Sequence, residues 1–169
     1  SIGLSDDDAK FESFLSVPFD EIAVGMSQAS ASSPAGYISR EDYNYVVMDH
    51  TASSLLAAFQ TPEEQQTTAR RPDVNLSGRS AWQSLIPNAS LQPNCNRQGL
   101  NIGSNGSRVR IGIIGNNENN CDSPDSRIGV GGRGNACGQD NNLASGNTSR
   151  CGGDNGDRDI RVKSTVLVR

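Results

Sequence analysis

Apolar residues near the start of the chain alternate with polar ones in two sets: Leu15, Val17 and Phe19, then Ile22, Val24 and Met26. A period of two marks a strand with one apolar face. Pro18 has no backbone donor, which confines it to an edge or to the end of such a strand. Phe11, Phe14 and Leu15 also fit one helical turn, and the preceding Asp6, Asp7 and Asp8 suit a helix N-terminus. Residues 27–36 then lose all apolar periodicity. They read Ser-Gln-Ala-Ser-Ala-Ser-Ser-Pro-Ala-Gly, the composition of a flexible tether.

Residues 37–49 hold Tyr37, Ile38, Tyr43, Tyr45, Val46, Val47 and Met48, and their aromatic and β-branched content predicts a strand. Residues 53–60 fit a short helix or a buried strand. A helix is predicted from Pro62, with Thr61 as cap, Glu63 and Glu64 in the first turn, Arg70 and Arg71 near the end, and Pro72 as the stop. Further strands are predicted over 81–86, at Leu100 and Ile102, over 108–114 and over 126–130. The chain closes on 159–168, where Ile160, Val162, Ser164, Val166 and Val168 share one face. Turns at Asn116-Asn117, Ser123-Pro124-Asp125 and Asp154-Asn155-Gly156 separate these runs. Short strands divided by such turns predict an all-β fold, an immunoglobulin-like β-sandwich or barrel with minor helix and an N-terminal extension.

Composition adds that the core is small. Leu, Ile and Val occur ten times each and Phe four times, 34 of 169 residues, so the fold needs a crosslink, an ion or a partner to help it. Cys95, Cys121, Cys137 and Cys151 all lie in the second half, among Gly, Asn, Asp and Ser. Three pairings are open to four cysteines; Cys95–Cys121 and Cys137–Cys151 close the shortest loops. The chain has no C-x-x-C pair, and its single histidine, His50, is distant in sequence, so the spacing does not fit zinc. Disulfides imply an oxidising compartment, hence an extracellular or cell-surface location. A secreted chain would have lost its leader before Ser1, since Asp6–Asp8 is the reverse of a basic leader segment. In that compartment Asn75, Asn88, Asn105 and Asn147 are candidate glycosylation sites, each followed by x-Ser/Thr.

Charge narrows the partners. The net charge is −4 and the pI about 4.9, against a nucleic-acid binder. Mean hydropathy is −0.54 and no apolar run is long enough to span a bilayer. Residues 1–84 hold 5 Lys/Arg and 12 Asp/Glu, whereas 85–169 hold 10 and 7, an asymmetry that favours head-to-tail contact between copies.

Few motifs carry chemistry. Arg110-Ile111-Gly112-Ile113-Ile114-Gly115 has the look of a dinucleotide-fold strand, but the spacing is G-x-x-G and no helix follows; it reads as a buried strand entering a polar turn. Residues 129–135 are glycine-rich without the Gly-Lys-Ser/Thr of a phosphate loop and read as a crossing or bulge. Asp154, Asp157 and Asp159, with Asp122 and Asp125 in support, are the candidate ligands for calcium, the one cofactor the sequence suggests. His50 is the only base for a nucleophilic pair, so no enzyme is expected. Trp82, Tyr37, Tyr43 and Tyr45 could stack on sugar rings.

The layout resembles the subunits of pili and surface fibres that assemble by donor-strand exchange. The resemblance rests on the alternating arm (Leu15, Val17, Phe19, Ile22, Val24, Met26), the tether and the β-rich remainder. It implies three parts: an arm over 1–26, a linker over 27–36 and a disulfide-stapled sandwich over 37–169. It also implies a function, a subunit whose arm fills a groove in a neighbouring copy by β-strand addition, giving a helical homopolymer. The alternative is a monomeric secreted carbohydrate-binding or adhesin module whose first strand belongs to its own sheet.

Overall fold

A computed structural model describes residues 11–27, 44–104 and 106–169. The fold is all-β, with short helices at its margins. Its strands are β1 (Phe19–Ser27), β2 (Asn44–Ala52), β3 (Gln65–Gln66), β4 (Arg70–Arg71), β5 (Leu76–Ser77), β6 (Gln98–Gly103), β7 (Arg108–Gly115), β8 (Ser126–Val130), β9 (Asn135–Ala136), β10 (Gln139–Asp140), β11 (Ser145–Ser149), β12 (Arg158–Arg161) and β13 (Lys163–Val168). One sheet runs β13-β1-β2-β4-β5 and the other β12-β11-β8-β7-β6-β3, with all pairings antiparallel; β9 and β10 form a separate hairpin.

The core lies between the two large sheets. Ile22, Val24, Met26, Val46 and Met48 of the first meet Leu100, Ile111, Ile113 and Ile128 of the second. Three helices close the flanks: α1 (Ser13–Ser16), α2 (Leu55–Gln60) and α3 (Gly78–Gln83). In α2 the Ser54 side chain caps the helix by accepting from Ala57 N–H.

β1 unites the two alternating sets in an unexpected way. Phe19 and Ile22 are three residues apart, yet both are buried. The ladder with β2 shifts register between Phe19 and Glu21, and this irregularity returns both side chains to the core. Leu15 falls in α1 and Val17 follows it, and both are exposed rather than part of the strand. Pro18 sits immediately before β1, at the strand end that its missing donor permits.

The final apolar run forms two strands instead of one. β12 pairs with β11 in the second sheet, and β13 pairs with β1 in the first. Between them Val162 is buried and donates its N–H to Ser145 O at 3.2 Å. The predicted inward face persists beyond the break: Ser164, Val166 and Val168 oppose Met26, Val24 and Ile22.

Two expectations for the middle of the chain fail, and one strand was unexpected. No helix follows Pro62. Glu64 is drawn away by Arg97 and by the Gly103 N–H, each at 3.0 Å, and Gln65–Gln66 and Arg70–Arg71 join sheets. Residues 81–86 begin inside α3 rather than forming a strand, with Trp82 fully buried and its indole N–H donating to Gln98 Oε1 at 3.1 Å. Short apolar runs do not distinguish a strand from a buried helix. β11 was not anticipated, because Ser145-Gly146-Asn147-Thr148-Ser149 contains no large apolar residue.

Glycine explains the motifs around 112 and 129. Gly99, Gly112, Gly129 and Gly146 oppose one another in register across β6, β7, β8 and β11. A Cβ on Gly112 would lie 2.2 Å from Ile128 O, and one on Gly129 would lie 2.3 Å from Ile111 O. The apparent dinucleotide motif is therefore a row where neighbouring backbones approach too closely for a side chain.

Candidate functional site

β6 begins, β7 ends, β8 begins, β11 ends and β12 begins at one end of the second sheet, so segments 84–97, 116–125 and 150–157 gather there. Both shortest-loop disulfides form. Cys95–Cys121 ties the first of these segments to the second, and Cys137–Cys151 ties the β9–β10 hairpin to the third. Loops of 26 and 14 residues are closed in this way. Each closure removes unfolded-state entropy worth about 3 kcal/mol in the chain-entropy account.

Gln92 connects the segments. It is fully buried, its N–H donates to Ser126 Oγ at 2.8 Å, its Nε2 donates to Cys151 O at 2.9 Å, and its Oε1 accepts from Asp125 N–H at 3.2 Å. Asp154 pins the third segment to the first. One carboxylate oxygen accepts from Leu91 N–H at 3.0 Å, and the other accepts from Arg79 at 2.8 Å and from Gln83 at 2.7 Å. Burial pushes the Asp154 carboxyl up, but the hydrogen bonds from Gln83, Leu91 and Arg79 and the charge of Arg79 outweigh it. The net shift is below the ordinary value. Asn155 adds a bond from its amide to Ala89 O at 2.6 Å.

Asn147 anchors the same segment from inside the sandwich. Its Oδ1 accepts from Ser90 N–H at 2.8 Å, and its Nδ2 donates to Ser90 O at 2.8 Å and to Arg127 O at 2.9 Å. Arg127 is itself buried, and its guanidinium donates to Ser107 Oγ at 2.9 Å and to Asn141 O at 2.6 Å. Burial lowers its pKa to about 10, which still leaves it charged near neutral pH.

Around this clamped base the loops expose Asn117, Glu118, Asn119, Asn120, Asp122 and Ser123 on one side, and Gly152, Asn155 and Asp157 on the other. Carboxylates, amides and backbone groups held at fixed positions are the donors and acceptors that a hydroxyl-rich ligand can use.

The residues singled out by sequence scatter. Of the arm, Phe19, Ile22, Val24 and Met26 are buried in the chain's own core, while Leu15 and Val17 are exposed. Of the glycosylation candidates, Asn75 and Asn88 are exposed and Asn105 lies outside the described residues. Asn147 is fully buried with its Nδ2 engaged, which leaves no room for a glycan in the folded chain. The calcium candidates do not converge. Asp154 is committed to Arg79, Gln83 and Leu91, Asp159 to Arg150 and Asn141, and Asp157 is exposed. Among the described residues no three His, Cys, Asp or Glu side chains come together to hold a metal.

Trp82 is buried and offers no face to a sugar; Tyr45 is exposed, and Tyr37 and Tyr43 lie outside the described residues. His50 lies in β2 with its ring 6.0 Å from that of Phe19. Burial depresses its pKa, against an opposing pull from Gln65. Sequence reading missed Gln92, Arg79 and the structural role of Asn147. These are isolated polar residues with no periodicity or spacing to mark them, and only the fold brings their partners within reach.

Among the described residues no helix is long and apolar enough to cross a membrane, and the two disulfides are compatible with a secreted protein. Comparison with family models, with curated proteins and with solved structures finds no match for the chain.

Proposed function

We propose that the chain is a self-contained extracellular recognition module, not an enzyme, which binds a hydroxyl-rich ligand of the carbohydrate class at its clamped loop end. One observation carries this reading: Gln92 and Asp154, together with both disulfides, fix two exposed polar segments, 116–125 and 150–157, on the largely buried segment 84–97. A loop surface that is already ordered loses little conformational freedom on binding, which favours recognition through modest polar contacts. The position of β1, between β2 and β13 of the same chain, supports the module over the fibre. A glycan array is the test. Binding of neutral glycans that is lost in an Asn117→Ala/Asn119→Ala variant with unchanged melting supports the reading. Failure of every neutral glycan to bind overturns it.

A second reading, the fibre subunit, is favoured by one feature. Residues 28–43 join adjacent antiparallel strands that need only about two to five linking residues. Sixteen residues reach about 50 Å when extended. The same β1 could then fill the slot between β2 and β13 of another copy with equivalent contacts.

A further inference from the structure

At the opposite end of β7 from the clamped loops, two arginines face each other. Arg108 donates its N–H to Arg133 O at 3.0 Å, and Arg133 donates its N–H to Arg108 O at 3.0 Å, so they are directly opposed across the ladder. Like charges in that position repel, which makes the pair unfavourable unless something neutralises it. Both side chains are exposed. Arg110, two residues along the same strand, is a third exposed guanidinium. It is held in place by bonds to Asn101 Oδ1 at 2.7 Å and Phe59 O at 3.1 Å and lies 6.0 Å from the Phe59 ring centroid.

Among the described residues no carboxylate supplies a counter-charge. The chain's acidic groups outnumber its basic ones, and Arg70, Arg71, Arg79, Arg97, Arg150 and Arg169 all pair with carboxylates. Among the described residues Arg108, Arg110 and Arg133 have no carboxylate within 4.0 Å. Glu64, which accepts from Gly103 N–H next to Arg108, is already paired with Arg97 at 3.0 Å. The cross-strand neighbours bring no bulk. Gly103 stands beside Arg108 and Gly131 beside Arg110, each so near that a Cβ would fall 2.2 Å and 2.5 Å from the arginine Cβ.

We propose that Arg108 and Arg133, with Arg110 beside them, form an oxyanion clamp for the sulfate esters of an acidic polysaccharide. The planar fork of a guanidinium matches a tetrahedral oxyanion through paired N–H donors, and an anion between two opposed forks removes the repulsion that the ladder imposes. The net-acidic chain as a whole repels polyanions, so binding of one would report a local site rather than overall attraction. This site is distinct from the loop end and can hold or fail without regard to it.

The experiment is calorimetric titration of the full chain with dextran sulfate, neutral dextran and inorganic sulfate near 0.1 M salt. Dextran sulfate is expected to bind and neutral dextran not. Affinity is expected to fall at least tenfold in Arg108→Gln/Arg133→Gln, with Arg158→Gln unchanged. Inorganic sulfate separates the sources of the anion: binding weaker than the polymer by tenfold or more supports the polysaccharide, and equal affinity overturns it in favour of a free ion. Should the double variant melt early, Arg133→Gln alone carries the comparison. No binding of dextran sulfate, or equal binding by the variants, would overturn the proposal.

Discussion

Asn147 grips both backbone groups of Ser90, accepting from the Ser90 N–H and donating to the Ser90 C=O, each at 2.8 Å. One amide side chain thereby imitates a strand. It gives the buried segment around Ser90 and Leu91 the partners that a sheet would otherwise provide. A third bond, to Arg127 O, ties this segment to β8.

Replacing Asn147 with Ala leaves these buried groups without partners. The expected loss is about 3 kcal/mol by urea denaturation, given about 1–3 kcal/mol for each group left unsatisfied and some relaxation. The exposed Asn119→Ala serves as control, expected to change stability by less than about 1 kcal/mol. Equal effects of the two would remove Asn147 from its anchoring role.

The glycine row makes a steric prediction. A Cβ on Gly129 meets the Ile111 carbonyl, whereas one on Gly138 meets nothing within 4 Å but sits at φ +75°. Gly129→Ala is expected to cost about 3 kcal/mol through forced separation of two strands. Gly138→Ala is expected to cost only the left-handed conformation, about 1 kcal/mol. Thermal melts of both variants decide the order, and a reversed order would contradict the register.

What the sequence disclosed follows from what periodicity can report. β7, β8 and the inward face of the closing run were legible, because alternating Ile and Val mark strands whatever surrounds them. The disulfide pairing was legible from loop length. β11 was not, since its buried positions are filled by Gly, Asn, Thr and Ser, and Asn147 finds its partners far away in sequence. The helix expected after Pro62 failed for the same reason: Glu64 and Gln65 find tertiary partners that local propensity cannot anticipate. Apart from the two disulfides, the clamped loop end is held by such long-range polar contacts, so its hub, Gln92, left no trace in the pattern.

The two disulfides should differ in what they hold. Cys137→Ser/Cys151→Ser frees the segment carrying Asp154 and Asn155, which clamp Arg79, Gln83 and Ala89. About 3 kcal/mol of stability is expected to go, with faster amide exchange at Leu91 and Asn155. Exchange unchanged at these two amides would show that Asp154 holds the segment without the crosslink.

His50 sets a pH dependence. Its pKa is lowered from 6.5, so the folded chain binds its proton more weakly than the unfolded chain does. Stability is therefore full above the ordinary value and declines as pH falls through about 6.5 toward the depressed folded value. Because the chain has one histidine, His50→Gln should flatten stability between pH 7 and 5. A wild-type profile already flat in that window would refute the burial of this ring.

The central claim is that β1 completes the sheet of its own chain. Ala23 on β1 opposes Leu167 on β13, and both native disulfides leave no free cysteine to compete. An Ala23→Cys/Leu167→Cys variant treated with a short bis-maleimide crosslinker, then denatured, reduced and weighed, tests the pairing directly. The account predicts a crosslinked product at the single-chain mass of about 17.9 kDa at every protein concentration. A ladder of multiples would place β1 in a neighbouring copy and contradict the self-contained module.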